Sequence, residues 1–232
     1  MRVGSLFAGI GGLELGIESA LDAETIWQVE IDPFCRQVLT KHWPEATRYD
    51  DIRGLTGLAS VDIICGGFPC QDLSGANHRG GDGLAGAQSG LWFEMLRIIR
   101  ECRPRFVVIE NVSRLARRGL DVVVSGLVDE GFEVEATRIE AGMVGAPHHR
   151  ERLLIVASHP DRDSEPVGAK HGKMARMCGS TTMVSREWRN VRMADGIPHR
   201  MDRRRMRALG NAVVPRVGAI AGARIAEVLH AL

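Results

Sequence analysis

No run of 18 apolar residues occurs anywhere in the 232-residue chain, so no segment reads as a membrane-spanning helix. The pattern of basic residues, apolar stretch and cleavage site that marks a secretory leader is missing too, and a cytosolic setting is expected. The five cysteines (Cys35, Cys65, Cys70, Cys102 and Cys178) are odd in number and include no CxxC pair. That argues against a disulfide framework and a structural zinc site; a reducing compartment and no bound metal are expected. There is no internal repeat and no low-complexity tract. Net charge is also nearly absent, at +1, but the balance is uneven. Residues 160–207 hold 12 Arg and Lys against 6 Asp and Glu, while the rest holds 18 against 23. A basic segment on a mildly acidic body reads as a polyanion contact or as a solvated surface loop.

Hydrophobic residues at 44% and charged residues at 25% are ordinary globular values, and the length suits one full core. Strand-like and helix-like segments alternate through the first two-thirds. Strands are expected at Val3–Phe7, Thr25–Val29, Val61–Cys65, Phe106–Ile109, Phe132–Ile139 and Leu153–Ala157. Helices are expected at Leu13–Leu21, Pro33–His42, Leu91–Arg100, Asp121–Asp129 and Val217–Leu229. Such alternation predicts an α/β fold with a doubly wound, mainly parallel sheet. Periodicity stops from Ser158 to about Ile197, which reads as a long loop or a very small subdomain.

Four places carry chemistry. Cys70 follows the apolar run Val61–Cys65 and the turn Gly66-Gly67-Phe68-Pro69, so it is delivered to the carboxyl edge of the sheet. An open loop end favours a nucleophile and apolar burial favours a structural thiol; both readings stand on position alone. The first strand runs into Phe7-Ala8-Gly9-Ile10-Gly11-Gly12, either a ligand loop or a tight strand–helix connection. Glu30, about 20 residues on at the end of the second strand, stands where nucleoside-binding folds hold ribose hydroxyls, or caps the next helix. Asp51 ends the next strand-like stretch and is suited to accept from an exocyclic amine.

Taken together, these motifs resemble the DNA (cytosine-5)-methyltransferase family, over nearly the whole chain and in the family's usual order. Ser5–Gly12 resembles the S-adenosylmethionine loop. Val29-Glu30-Ile31-Asp32 and Asp50-Asp51-Ile52 resemble the two acidic cofactor motifs. Gly67-Phe68-Pro69-Cys70-Gln71 resembles the catalytic motif and Glu110-Asn111-Val112 the second half of the active site. Pro147-His148-His149-Arg150-Glu151-Arg152 resembles the motif that closes over the base, and Leu209–Pro215 the C-terminal motif that completes the cofactor pocket.

The resemblance implies a Rossmann-like fold and transfer of a methyl group from S-adenosyl-L-methionine to C5 of a cytosine in duplex DNA. Cys70 is then the nucleophile that adds at C6, and Glu110 the protonated acid that reaches N3 and accepts from the N4 amine. Arg152 holds the O2 edge, Arg150 suits phosphate or cofactor-side contacts, and Pro69 and Gln71 flank the nucleophile. Phe7, Gly9, Gly11, Gly12, Glu30, Ile31, Asp51, Ile52, Pro69, Leu91, Asn211, Ala212 and Val213 are the implied cofactor contacts. The base must leave the stack, and the six-glycine segment Asp72–Gly90 reads as a lid over it, offering Ser74, Asn77, His78 and Arg79 to DNA. Lys173, Arg203, Arg204 and Arg205 are expected phosphate contacts.

Three departures mark this chain. Ile31 replaces the family's frequent aromatic, and His148 stands where the usual Gln would. The recognition region is reduced to residues 158–206, between a catalytic and cofactor-binding domain at 1–157 and a returning C-terminal segment at 207–232. Asp195–Pro215 resembles the tail of compact phage or prophage members, so a bacterial or phage-infected cytoplasm is implied. Phosphates position and bases specify, so a short or relaxed site of about two to four base pairs is expected. A monomer is expected, with a separate specificity subunit or cognate restriction endonuclease as the partners to consider. The tRNA-acting branch shares the PCQ and ENV motifs but usually carries a Cys-Phe-Thr tripeptide, which does not occur here. A non-catalytic DNA-binding remnant is disfavoured by the presence of Cys70, Glu110, Arg152 and Asn211.

Overall fold

The computed structural model describes residues 1–69, 90–140, 142, 150–162, 208 and 211–231. Five strands are parallel in the order β3 (Thr47–Tyr49), β2 (Glu24–Val29), β1 (Arg2–Leu6), β4 (Ile63–Gly66), β5 (Phe106–Val112). β7 (Glu151–Ser158) and β6 (Glu133–Glu140) complete a seven-stranded sheet, with β7 inserted between β5 and β6 and antiparallel to both. The sequence predicts these last strands but not this direction. The reason is length: residues 141–150 join β6 to β7, and so short a link makes a hairpin, whereas a parallel return needs a dozen or more residues.

Helices cover both faces, as the doubly wound reading requires. Helix α1 (Gly12–Ala20) and the C-terminal helix, α6 (Pro215–Ala231), pack on one face over Val3, Ile63, Cys65, Phe106 and Val108. Helix α3 (Gly90–Cys102), the short α4 (Leu115–Arg118) and α5 (Leu120–Asp129) cover the other, over Leu6, Trp27, Ile64, Val107 and Ile109. The uninterrupted run Phe106–Ile109 is wholly buried because both faces of a central parallel strand are covered. Each of these large side chains contributes roughly 1.5–3 kcal/mol of burial.

Local signals set several boundaries. Helix α2 (Pro33–His42) starts on Asp32, whose carboxylate accepts from the Phe34 amide at 2.8 Å, with Pro33 in the first turn. Strand order reverses between β1 and β4, and the loops leaving their carboxyl ends bound a crevice there. No helix among the described residues is long and apolar enough to cross a membrane.

Candidate active site

The loop after β1 forms one wall of the crevice. Phe7 has φ 56°, and the Gly9 amide donates to Glu30 Oε2 at 2.7 Å. The other Glu30 oxygen accepts from the Asp32 amide at 2.8 Å. Arg36 donates to the Glu30 carbonyl at 2.9 Å and the Ile31 carbonyl at 3.1 Å, and Ile31 is left 65% exposed. A carboxylate has about four acceptor sites, so Glu30 is oriented by the backbone with capacity left for hydroxyls. Among the described residues, nothing lies within 4 Å of where a β-carbon on Gly9 would point.

Asp51 sits on the next loop, its carboxylate accepting from the Arg53 amide at 3.0 Å. The Ile52 side chain is buried in the core, and its carbonyl accepts from the Leu55 amide at 3.3 Å. Arg97 of α3 donates to the Ile52 carbonyl at 3.1 Å and the Leu55 carbonyl at 2.8 Å, tying this loop to the helix. The Val213 carbonyl lies against Gly12, which brings the C-terminal motif back onto the loop. Ala212 and Val213 are half-buried and Asn211 is exposed; Leu91 is half-buried in the first turn of α3. An oriented carboxylate, an exposed apolar face, a second acid and open space over a glycine suit the ribose, ring and amine of a nucleoside. The residues therefore fit S-adenosylmethionine.

Beneath that loop Glu14 is completely buried on the α1 side of the sheet. Burial pushes its carboxyl up to about 7; the nearby Ser5 hydroxyl counters part of this, and the carboxylates of Glu18 and Glu30 add to it.

The other wall is built on β4 and β5. Strand β5 runs past Ile109 to Val112 because β7 continues to pair with it, so Glu110 lies inside the strand and not at its end. In this antiparallel register Glu110 faces Leu154 and Val112 faces Arg152. Glu110 and Arg152 are thus diagonal neighbours on one face, within reach of a long side chain. Arg152 Nε stands 2.7 Å from Glu110 Oε1. Glu110 is only 7% exposed. Burial raises its carboxyl above its ordinary value, against the lowering pull of Arg152 and Arg150. Arg150, expected at a phosphate or cofactor contact, is therefore close enough to act on Glu110; burial and the like charge of Arg152 lower its own pKa.

The loop after β4 is held against this acid. A β-carbon on Gly67 would lie 2.7 Å from the Glu110 carbonyl and 3.5 Å from its Oε2, so only glycine lets the chain pass there. Asn111 Nδ2 donates to the Phe68 carbonyl at 3.1 Å, and Asn111 Oδ1 accepts from the Val112 amide at 2.8 Å. Phe68 is buried against Trp92, with ring centroids 5.5 Å apart, while Pro69 is exposed. The bonds of Asn111 and Arg97 are not assigned by the sequence reading. The available signal was a polar residue in an apolar strand, which when buried needs a partner.

Several expected residues lie outside the described residues: Cys70, Gln71, Ser74, Asn77, His78, Arg79, His148, Lys173, Arg203, Arg204 and Arg205. The proposed lid and nearly all of the recognition segment lie there too.

Comparison with known proteins agrees with this geometry. Residues 1–191 match the model of the C-5 cytosine-specific DNA methylase family. Type II methyltransferase M2.BsuMI of Bacillus subtilis (strain 168) is 33% identical over 194 residues, covering 74% of this chain and 49% of its own. Type II methyltransferase M.HhaI of Haemophilus parahaemolyticus is 30% identical over 167 residues, covering 69% and 50%. The chain thus spans about half the length of these curated relatives. Among solved structures, a DNA modification methyltransferase encoded within an E. coli prophage superposes with a TM-score of 0.57 at 22% identity, over 73% of this chain and 52% of that one. Spodoptera frugiperda DNMT2 follows at 0.56 and 19%, over 73% and 53%; at these identities the likeness is one of fold. With the family model spanning residues 1–191 and a relative 33% identical over 74% of the chain, the chain belongs to the C-5 cytosine-specific DNA methylase family.

Proposed function

We propose that the protein transfers a methyl group from S-adenosylmethionine to C5 of a cytosine flipped out of duplex DNA. The observation that carries this reading is the buried Glu110, paired with Arg152 and packed against Gly67, three residues before Cys70. Burial raises the Glu110 carboxyl and so favours the protonated form, which a pyrimidine N3 needs when a nucleophile adds to the ring.

Glu30, Ile31, Asp51 and the loop Phe7–Gly12 hold the cofactor, with residues 211–213 closing behind them. Bound there, it supplies a methyl group carried on a sulfonium. The Cys70 thiolate forms a bond to C6, and Glu110 donates a proton to N3 as electrons shift onto the ring. C5 then becomes nucleophilic enough to be alkylated. Glu110 takes back the N3 proton, and loss of the C5 proton to water expels the thiolate and restores the aromatic ring. Arg152 holds the acid in register and offers its remaining donors to the O2 edge, while Asn111 and Gly67 fix the path of the loop that carries the nucleophile.

Residues 1–157 act as the catalytic unit, 158–206 as a reduced recognition segment and 207–232 as the returning C-terminal element. The protein works as a monomer in the cytoplasm, and a partner that supplies sequence recognition is compatible with so short a segment. Incubation with labelled S-adenosylmethionine and duplex DNA, followed by bisulfite mapping of 5-methylcytosine, tests the reading. Label in duplex DNA is expected; label in tRNA alone would overturn it. Cys70→Ser should abolish transfer, and retained activity would remove Cys70 from the chemistry.

A further inference from the structure

The glycine loop has a support that belongs to none of the motifs above. Gly11 precedes α1 with φ 87°, a left-handed conformation. A β-carbon there would lie 2.2 Å from Cζ3 and 2.3 Å from Cη2 of Trp43, and 3.2 Å from Leu39 Cδ2. The edge of an indole ring is therefore packed directly onto the loop backbone.

Trp43 follows the last residue of α2, and both its ring and its main chain are anchored. Its Nε1 is 3.0 Å from each carboxylate oxygen of Glu18, on α1. The same carboxylate accepts from the Thr25 amide at 2.9 Å and the Thr25 hydroxyl at 2.5 Å, at the start of β2. The Trp43 amide donates to the Leu39 carbonyl at 2.8 Å, while its own carbonyl accepts from the Ala46 amide at 3.2 Å and from the Arg48 guanidinium. Three elements thus converge on one half-buried ring that belongs to neither main hydrophobic cluster. Placing a flat, two-rotor side chain there, pinned at its nitrogen, is a way to hold a glycine turn in one conformation without filling the ligand side.

We propose that Trp43, oriented by Glu18, is a positioning residue for the Gly9–Gly12 loop and sets the affinity of that loop for the adenosyl ligand. The inference rests on the reading of this loop as the S-adenosylmethionine site. It acts by removing alternative loop conformations before binding, so its loss reduces affinity while leaving the chemical step intact.

Calorimetric titration of the whole protein with S-adenosylhomocysteine gives a readout that does not depend on turnover. Trp43→Leu and Glu18→Ala should each weaken binding about tenfold, whereas Trp43→Phe and Glu18→Gln, which keep a ring and an acceptor, stay within about threefold of wild type. In turnover, Trp43→Leu should raise KM for S-adenosylmethionine with kcat within about twofold. Tryptophan fluorescence adds a direct view, because the difference between wild type and Trp43→Phe isolates the loop-contacting Trp43 from Trp27, Trp92 and Trp188. Ligand should change the wild-type signal by a component that Trp43→Phe removes. A folded Trp43→Leu protein that binds with wild-type affinity overturns the proposal, as does loss of folding in every one of the four variants. Failure of the wild-type protein to bind S-adenosylhomocysteine is a different result, and it sinks the reading of the loop itself.

Discussion

Glu14, on helix α1, and Glu110, on strand β5, are both buried carboxyl groups, and the charges around them differ in sign. Glu14 lies under the cofactor loop, where the charges acting on it are the further carboxylates Glu18 and Glu30. Glu110 lies beside the loop that leaves β4 through Gly67, with Arg152 and Arg150 opposing the effect of its burial. Both are raised by burial, but among the described residues no cation offsets desolvation at Glu14, whereas Arg152 and Arg150 pull Glu110 back toward its charged form. An acid that must hand over a proton and take it back needs that balance. A sealed acid with no counter-charge behaves as a neutral part of the packing.

If this contrast is right, the two positions respond differently to the same substitution. Glu110→Gln should reduce methyl transfer by about two to three orders of magnitude with the fold retained, measured as initial rates on duplex DNA. Glu14→Gln should leave the rate within about threefold of wild type, so a collapse of activity there would break the contrast.

Stability gives the next largest effect. Because the folded-state value for Glu14 is raised to about 7, the protein binds more protons than the unfolded chain at intermediate pH. The associated stability is fully present below the unfolded value and is lost as pH rises through about 7. Wild-type urea midpoints should therefore decline over that range, with Glu14 contributing up to about 3 kcal/mol in free energy, and Glu14→Gln should decline clearly less. A wild-type decline no steeper than the variant's would mean that Glu14 is not sealed from charge compensation.

Arg152→Gln removes the principal cation beside Glu110 and so should raise that carboxyl further. The alkaline limb of the pH–rate profile should move up while the rate falls about ten- to a hundredfold. A limb that moves down would assign the titration to another group. The smallest effect is expected at Arg224, whose guanidinium pairs with Glu135 and Glu227 on the open surface. Arg224→Ala should shift Tm by less than about 2 °C, which a thermal melt checks.

Much of this arrangement could be read from the residue order. Pro33 behind Asp32 marks the start of α2, and the continuous apolar run Phe106–Ile109 marks a strand covered on both faces. Glu30 falls at a strand end beside a glycine loop, and the Gly9 amide does reach it. Other features depend on partners distant in sequence. Whether Ile52 faces a ligand or the core depends on what packs beneath it, and α3 supplies that packing. Asn111 reads as part of a motif, but its bond to Phe68 spans 43 residues.

The sequence by itself determined the alternation of elements, the family and the residue types gathered for the chemistry, because periodicity, turn residues and short motifs are local properties of the chain. Only the tertiary structure decided the antiparallel entry of β7, the diagonal pairing of Arg152 with Glu110, the different surroundings of the two buried acids and the seating of Trp43 on Gly11. These depend on register and on distances between segments far apart along the chain, and burial and charge take their local values only after those segments have met.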